Sequence, residues 1–299
     1  GIDCSFLATG FRSATYVERQ AELCTIAAHN FPALDLNHIS VRNDDGVAYL
    51  ETMSPVDCIF LDPARRNEHG GKTVAISDCE PNVAELEGLL LSKANRIMIK
   101  LSPMLDLSQA LKELPHTQEV HIISVNNECK ELLLLLGQTA PEEIPVHCVN
   151  LSTKGEQEKQ LFVFTREQEQ HSECSYTDTL GNYLYEPNAS LLKAGAFRSI
   201  AAAYSVKKLH PNSHLYTSDT QIEGFPGRTF RIINRCSLNK KEIKENLSDL
   251  KKANITVRNF PATVAELRKR IKLAEGGDTY LFASTLNDGQ KILIRCGKV

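Results

Sequence analysis

Over the first 165 residues, short apolar runs alternate with longer segments whose apolar positions recur every three or four residues. The short runs predict strands at 13–17, 38–41, 56–61, 96–101, 119–125 and 161–165. The longer segments predict helices at 20–30, 45–53, 82–91, 107–114 and 128–136. Strand and helix in alternation is the rhythm of a mostly parallel sheet wrapped by helices. Pro81-Asn82 and Ser102-Pro103 punctuate the boundaries, and 167–175, polar and without apolar period, reads as a linker. A short module with a helix-like stretch at 189–203 runs to about Phe225. After Gly224-Phe225-Pro226-Gly227 the pattern reads strand 228–233, helix 240–253, strand 255–258, helix 263–273 and strand 279–284. An Asn287-Asp288-Gly289 turn then leads into strand 290–295, which completes a small α+β sandwich. The expected division is therefore 1–170, 171–225 and 226–299.

Composition narrows the class. Of the 299 residues 42% are hydrophobic and 24% charged, as in folded globular chains. No apolar run approaches the ~18 residues of a membrane span, and no secretory leader opens the sequence. Nine cysteines lie scattered without a CxxC or His–Cys cluster, which predicts reduced core thiols in a cytoplasmic protein. The nine histidines are isolated along the chain, and no metal site is expected.

The net charge of −3 is unevenly spread. From Pro226 onward there are 16 Lys and Arg against 7 Asp and Glu, a net +9; the rest carries 18 against 30, a net −12. An acidic body with a basic end suits a module that grips a polyanion. Solvated lysines on a helix-rich domain would give the same count.

Acids close three of the predicted strands. In open α/β sheets ligands lie at the carboxyl ends of strands. Glu18 is placed to accept both hydroxyls of a ribose, and Asp44 or Asp45 to accept an adenine amino group. Asp62-Pro63 leaves the apolar strand 56–61, where the proline directs the chain's exit. Asp62 would orient a nucleobase amino group for in-line attack, with Arg65 and Arg66 offering cations beside it.

With these residues in view, the sequence resembles a family. Gly1 to Ala8, Tyr16-Val17-Glu18-Arg19 and Phe60-Leu61-Asp62-Pro63 look like the cofactor motifs of class I RNA methyltransferases. Asp62 to Arg66, Lys100 to Asp106, Tyr185 to Asn188 and the last module are similar to bacterial class I methyltransferase-like proteins with a carboxyl-terminal THUMP-like domain. The resemblance implies a Rossmann-like α/β methyltransferase sheet, a small ferredoxin-like or linking module, and a small α+β THUMP-like domain. It implies S-adenosylmethionine as cofactor, held by Gly1, Asp3, Glu18, Asp44, Asp45 and Asp62, with Asp62, Pro63 and Arg65 at the reacting centre. Transfer or ribosomal RNA is the implied partner, contacted by Arg66, Lys100, Ser102, Arg228, Arg231, Lys269 and Arg270, among other cations. It further implies that the first strand and the earlier glycines of the cofactor loop precede Gly1.

Two departures qualify the chemistry. The amino-methyltransferase step is Asp-Pro-Pro-aromatic, whereas this chain reads Asp62-Pro63-Ala64-Arg65 and lacks the aromatic that stacks on a flipped base. Carbon methylation of uracil needs a cysteine nucleophile where Lys100-Leu101-Ser102-Pro103 stands, and there is none. An RNA-binding protein on an inactive methyltransferase scaffold is the alternative; a small-molecule methyltransferase fits the basic module less well. Several residues read two ways. Lys100, Ser102 and Asp106 either line a pocket or form a strand end and helix cap. Asn126 to Lys130 either face a base or open a helix. Tyr185 either stacks on a base or precedes a helix capped by Asn188.

Overall fold

The structure, a computed structural model, describes residues 1–65, 75–153 and 159–299, with Arg65 in backbone only. It divides into two compact units: Gly1–Lys100, Met104–His116 and Leu135–Ala140 form one, and the remaining described residues the other.

The first unit begins α1 (Ile2–Leu7), β1 (Ala14–Glu18), α2 (Ala21–Ala33), β2 (Ile39–Asn43), α3 (Gly46–Thr52) and β3 (Val56–Leu61). It continues with β4 (Ala64–Arg65), β5 (Cys79–Glu80), α4 (Val83–Lys93), β6 (Ala94–Leu101, its last residue in the second unit) and α5 (Leu107–Glu113). β1 and β2 are parallel, Ala14 opposite Ile39 through Glu18 opposite Asn43. β3 and β6 are also parallel, Val56 opposite Ala94 through Leu61 opposite Ile99. Ala8, Ala27, Phe31 and Ile39 bury one face of the β1–β2 pair beneath α2. Polar caps begin these helices as their sequences dictate: Asp45, Asn82 and Asp106 accept backbone N–H groups at the starts of α3, α4 and α5.

The second unit holds β7 (Thr117–Val125), β8 (Glu128–Gly137, which crosses into the first unit), β9 (Pro145–Leu151), β10 (Lys159–Thr165), α6 (Arg166–His171), β11 (Tyr183–Pro187), α7 (Ala189–Ala194) and α8 (Phe197–Ala203). Then follow β12 (Lys207–Lys208), β13 (Tyr216–Ser218), β14 (Gly227–Cys236), α9 (Lys240–Leu247), β15 (Asn254–Arg258), α10 (Val264–Ile271), β16 (Thr279–Thr285) and β17 (Lys291–Lys298). β9 pairs parallel with β7 and antiparallel with β10. A seven-stranded sheet runs β12-β13-β11-β14-β17-β16-β15 and is continuous across residue 226. Its central strands are covered on both faces. Phe282, Ile292, Ile294 and Cys296 enter one cluster, while Leu281, Ala283 and Leu293 enter another with Leu247 and Leu267. Continuous apolar runs such as 281–283 and 292–294 are what double burial requires.

Four readings need correction. The predicted helix 128–136 is strand β8, whose buried residues Leu132, Leu134 and Leu136 recur every second position. Asn126 and Asn127 both have positive φ (51° and 65°) and form the two-residue hairpin turn into β8. Asn127 therefore caps no helix of its own; its Oδ1 accepts from Ala189 N at the start of α7. The helix-like 189–203 breaks at Gly195, left-handed at φ 77°, into α7 and α8. The expected linker 167–175 contains most of α6, and its Glu169 carboxylate accepts from the backbone N–H groups of Phe197, Arg198 and Ser199, so it holds the start of α8. β9 had no counterpart among the predicted strands.

One half-buried ring makes stability depend on pH. His214 stacks on Phe197 (centroids 3.6 Å apart), and its Nδ1 is buried without a hydrogen-bond partner. Burial, reinforced by the charges of Lys208 and Arg258, pushes His214 from 6.5 down to about 4. The folded protein thus keeps the ring neutral where the unfolded chain takes up a proton. The stability this supplies is full above pH 6.5 and is lost as pH falls toward 4. Chemical denaturation should show about 1–2 kcal/mol less stability at pH 4.5 than at pH 7 from this ring alone. His214→Leu should flatten that dependence; an unchanged slope would remove His214 as its source.

Candidate functional site

In the first unit the carboxyl ends of β1, β2, β3 and β6 carry the polar groups. Lys100, near the end of β6, places Nζ 2.6 Å from Asp3 Oδ2 and 2.7 Å from Asp62 Oδ2. Asp3 comes from the first turn of α1, and Asp62 directly follows β3. The three residues lie far apart in sequence and meet because β3 and β6 are parallel neighbours. Burial opposes the charge on Lys100, but its hydrogen bonds to Asp3 and Asp62, with their charges, outweigh that and hold it above the ordinary lysine value. The ammonium stays charged and bridges two carboxylates, which leaves a local excess of one negative charge. Asp62 is half-exposed at 51%, against 22% for Lys100, so of the two it is the carboxylate that opens to solvent.

Glu18 and the turn after β2 form a second polar group. Asn43 Nδ2 donates to the carbonyls of Glu18 and Arg19, and Asp44 N donates to Glu18 O. The Glu18 carboxylate accepts from Gln20 N (2.8 Å) and from the Tyr16 hydroxyl (3.4 Å). Burial, with the Glu18 charge behind it, pushes the Tyr16 phenol upward, so it remains a donor. The Gly1 nitrogen in turn donates to Tyr16 Oη (3.2 Å), which ties the start of α1 to the end of β1. A Cβ at Gly1 would come within 2.9 Å of Phe31, so the close approach of this backbone to α2 requires glycine or a shift of that ring.

The structure sorts the expected site residues. Asp3, Asp62 and Lys100 are brought together, and Glu18 lies beside Asp44 through the backbone. Asp45 spends Oδ1 on Val47 N and Ala48 N as the cap of α3, while Asp44 accepts from Asp45 N and is exposed. Pro63 leads into β4; Arg65 is described in backbone only, and Arg66 lies outside the described residues. Lys100, expected to meet substrate, is engaged by two acids. Asp106 is the cap of α5, and Ser102 lies in the loop after β6.

In the second unit two expectations change. Tyr185 is fully buried in β11, its hydroxyl bonded to Ser218, Thr220 and Ile222, so it presents no face for stacking. Arg228 is bound to buried Glu186 and so has a partner within the sheet, with its side chain 41% exposed. Asn188 does cap α7. Arg231, Arg235, Lys240, Lys241, Lys244, Lys269 and Arg270 are exposed, and Arg270 also donates to Leu238 O. The histidines were read as isolated, yet His121 and His147 stack face to face beside Glu119. Only strand register shows this, since 26 residues separate them.

No helix among the described residues is long and apolar enough to cross a membrane. A family model described as a ferredoxin-like domain matches residues 183–226, and one described as THUMP domain-like matches 227–298. The crystal structure of a proposed methyltransferase from Porphyromonas gingivalis W83 is similar along the whole chain, with 35% identity and a TM-score of 0.88. The match covers 100% of this chain and 80% of that one. No curated protein matches the chain.

Proposed function

We propose that this chain, which belongs to the family of methyltransferase-like proteins with a carboxyl-terminal THUMP-like domain, transfers a methyl group from S-adenosylmethionine to a nucleobase amino group in transfer or ribosomal RNA. The observation that carries the reading is the Asp3–Lys100–Asp62 bridge at the carboxyl ends of β3 and β6. The residues fit the cofactor chemically: a site with one surplus negative charge complements a sulfonium, and the Glu18 carboxylate suits ribose hydroxyls. Asp44 is the better placed of the two neighbouring acids for the adenine amino group, because Asp45 is occupied as a cap. When bound, the cofactor supplies an electrophilic methyl group. Asp62 accepts a hydrogen bond from the amino group of the base and turns its lone pair toward that methyl, and Lys100 fixes the Asp62 carboxylate for the task. The exposed cations of the last module hold RNA phosphates without reading sequence.

The test uses full-length protein, radiolabelled S-adenosylmethionine and total RNA from cells lacking the gene. Label should enter RNA, and RNA affinity should fall log-linearly with salt concentration. β14 pairs with β11, so removing the last module would tear a sheet; combined charge variants are the sounder probe. Arg231→Ala, Lys240→Ala and Lys269→Ala together should weaken RNA binding at least about ten-fold and lower the salt slope by roughly two to three. Salt-independent binding would overturn the phosphate reading. RNA binding without label transfer would favour a binding protein on the methyltransferase scaffold, the reading that the Asp62-Pro63-Ala64-Arg65 step supports.

A further inference from the structure

We propose that Glu119, His121 and His147 form a binding site for a borderline divalent cation such as Zn²⁺, on the β7–β9 face of the second unit. Glu119 and His121 stand two residues apart on β7 and so share one face of the sheet. His147 on β9 is the register partner of His121 across the parallel pair. The two imidazoles stack at 4.4 Å between centroids and 9° between planes. Both Nε2 atoms converge on one carboxylate oxygen: Glu119 Oε2 lies 3.2 Å from His121 and 3.8 Å from His147.

These separations are close to the ~3.0–3.4 Å expected between ligand atoms that share an ion at ~2.1 Å. A rotation of the half-exposed Glu119 side chain is enough to close the difference. Two imidazoles and a carboxylate are a donor set for Zn²⁺, Co²⁺ or Ni²⁺, whereas Mg²⁺ and Ca²⁺ take oxygen ligands. A shared dication satisfies all three groups. The side chains are a quarter to a half exposed, so the remaining coordination positions open to water or to an oxygen ligand.

Co²⁺ is the probe, titrated into untagged full-length protein and followed by its visible absorption, with Zn²⁺ competition as the second arm. Wild type should bind one Co²⁺ with nitrogen-ligand bands that Zn²⁺ removes. His121→Ala, His147→Ala and Glu119→Gln should each weaken binding at least about ten-fold. His171→Ala, at an exposed histidine on α6, should leave it unchanged. Melting of each variant without metal separates loss of a ligand from loss of the fold, and a Zn²⁺-induced rise in melting temperature in wild type alone supports the site. Wild-type binding no tighter than that of the His121→Ala/His147→Ala double variant overturns the proposal, as does an equal loss in His171→Ala.

Discussion

Asp62→Ala should lower methyl transfer to RNA by at least about 100-fold, while RNA affinity changes by less than about ten-fold (~1.4 kcal/mol). The reason lies in the ends of two strands. Asp62 leaves β3 beside Lys100 of β6, and its carboxylate is half-exposed where the proposed cofactor and base meet. No cysteine stands after β6 to offer a covalent route, so positioning of the acceptor nitrogen carries the chemistry. Alanine removes the acceptor and also frees Lys100 to pair with Asp3 alone. Asp62→Asn keeps one acceptor oxygen but loses the ion pair, and should fall between wild type and alanine. Lys100→Met tests the support: it should depress kcat more than it raises KM, because it loosens Asp62 without removing it. If Asp62 only shapes the loop before β4, the alanine variant will melt earlier yet turn over normally well below its melting point. Near-wild-type turnover in folded Asp62→Ala would defeat the assignment.

The largest effect on stability is expected at Glu186. Its side chain is 2% exposed in β11, opposite Arg228 of β14 in register, and each of its oxygens is bound to a different arginine. Arg228 Nε donates to Oε2 at 2.9 Å, and Arg258 Nη2 of β15 donates to Oε1 at 2.9 Å. A carboxylate so deeply buried is tolerated because two guanidiniums replace its water. Glu186→Ala would leave two like charges facing one another. Breaking a buried pair costs about 3–5 kcal/mol. The arginines are 41% and 36% exposed and regain solvent, so about 2–4 kcal/mol is expected here. Melting should fall by roughly 5–12 °C. Arg231→Ala, at an exposed position of the neighbouring strand, should shift it by less than about 2 °C. A Glu186→Ala protein that melts with wild type would show that the pairing contributes no net stability. The same pairing engages Arg228, one of the cations expected from sequence to meet RNA.

Much of the architecture could be read from local pattern. β3 lies at the predicted 56–61, and β1, β2, β6, β7 and β10 lie within two residues of expectation at each end, because period and chain punctuation act within a few residues. The order of elements in the last module was legible for the same reason. The run Leu132 to Leu136 was not, since five consecutive leucines satisfy both periods and only the partner strand selects one. Asn126-Asn127 reads equally as a cap or a turn until the backbone adopts two positive φ angles.

At the site, residue type and position at a strand end pointed to Glu18, to Asp44 or Asp45, and to Asp62, since acids there follow from the α/β plan itself, whereas Asp3, in the first turn of α1, was implied by the family resemblance alone. What each acid is joined to depended on the tertiary fold. Asp3, Asp62 and Lys100 become one bridge through the pairing of β3 with β6, which no local spacing encodes. Glu186 gains Arg228, and His121 its partner His147, through register between paired strands, and Arg258 joins Glu186 from β15, 72 residues away in sequence and not adjacent to β11 in the sheet. Secondary structure answers to neighbours along the chain and so can be read from them. Ion pairs, buried charges and candidate metal ligands answer to neighbours in space, and the packing of strands alone decided which residues those would be.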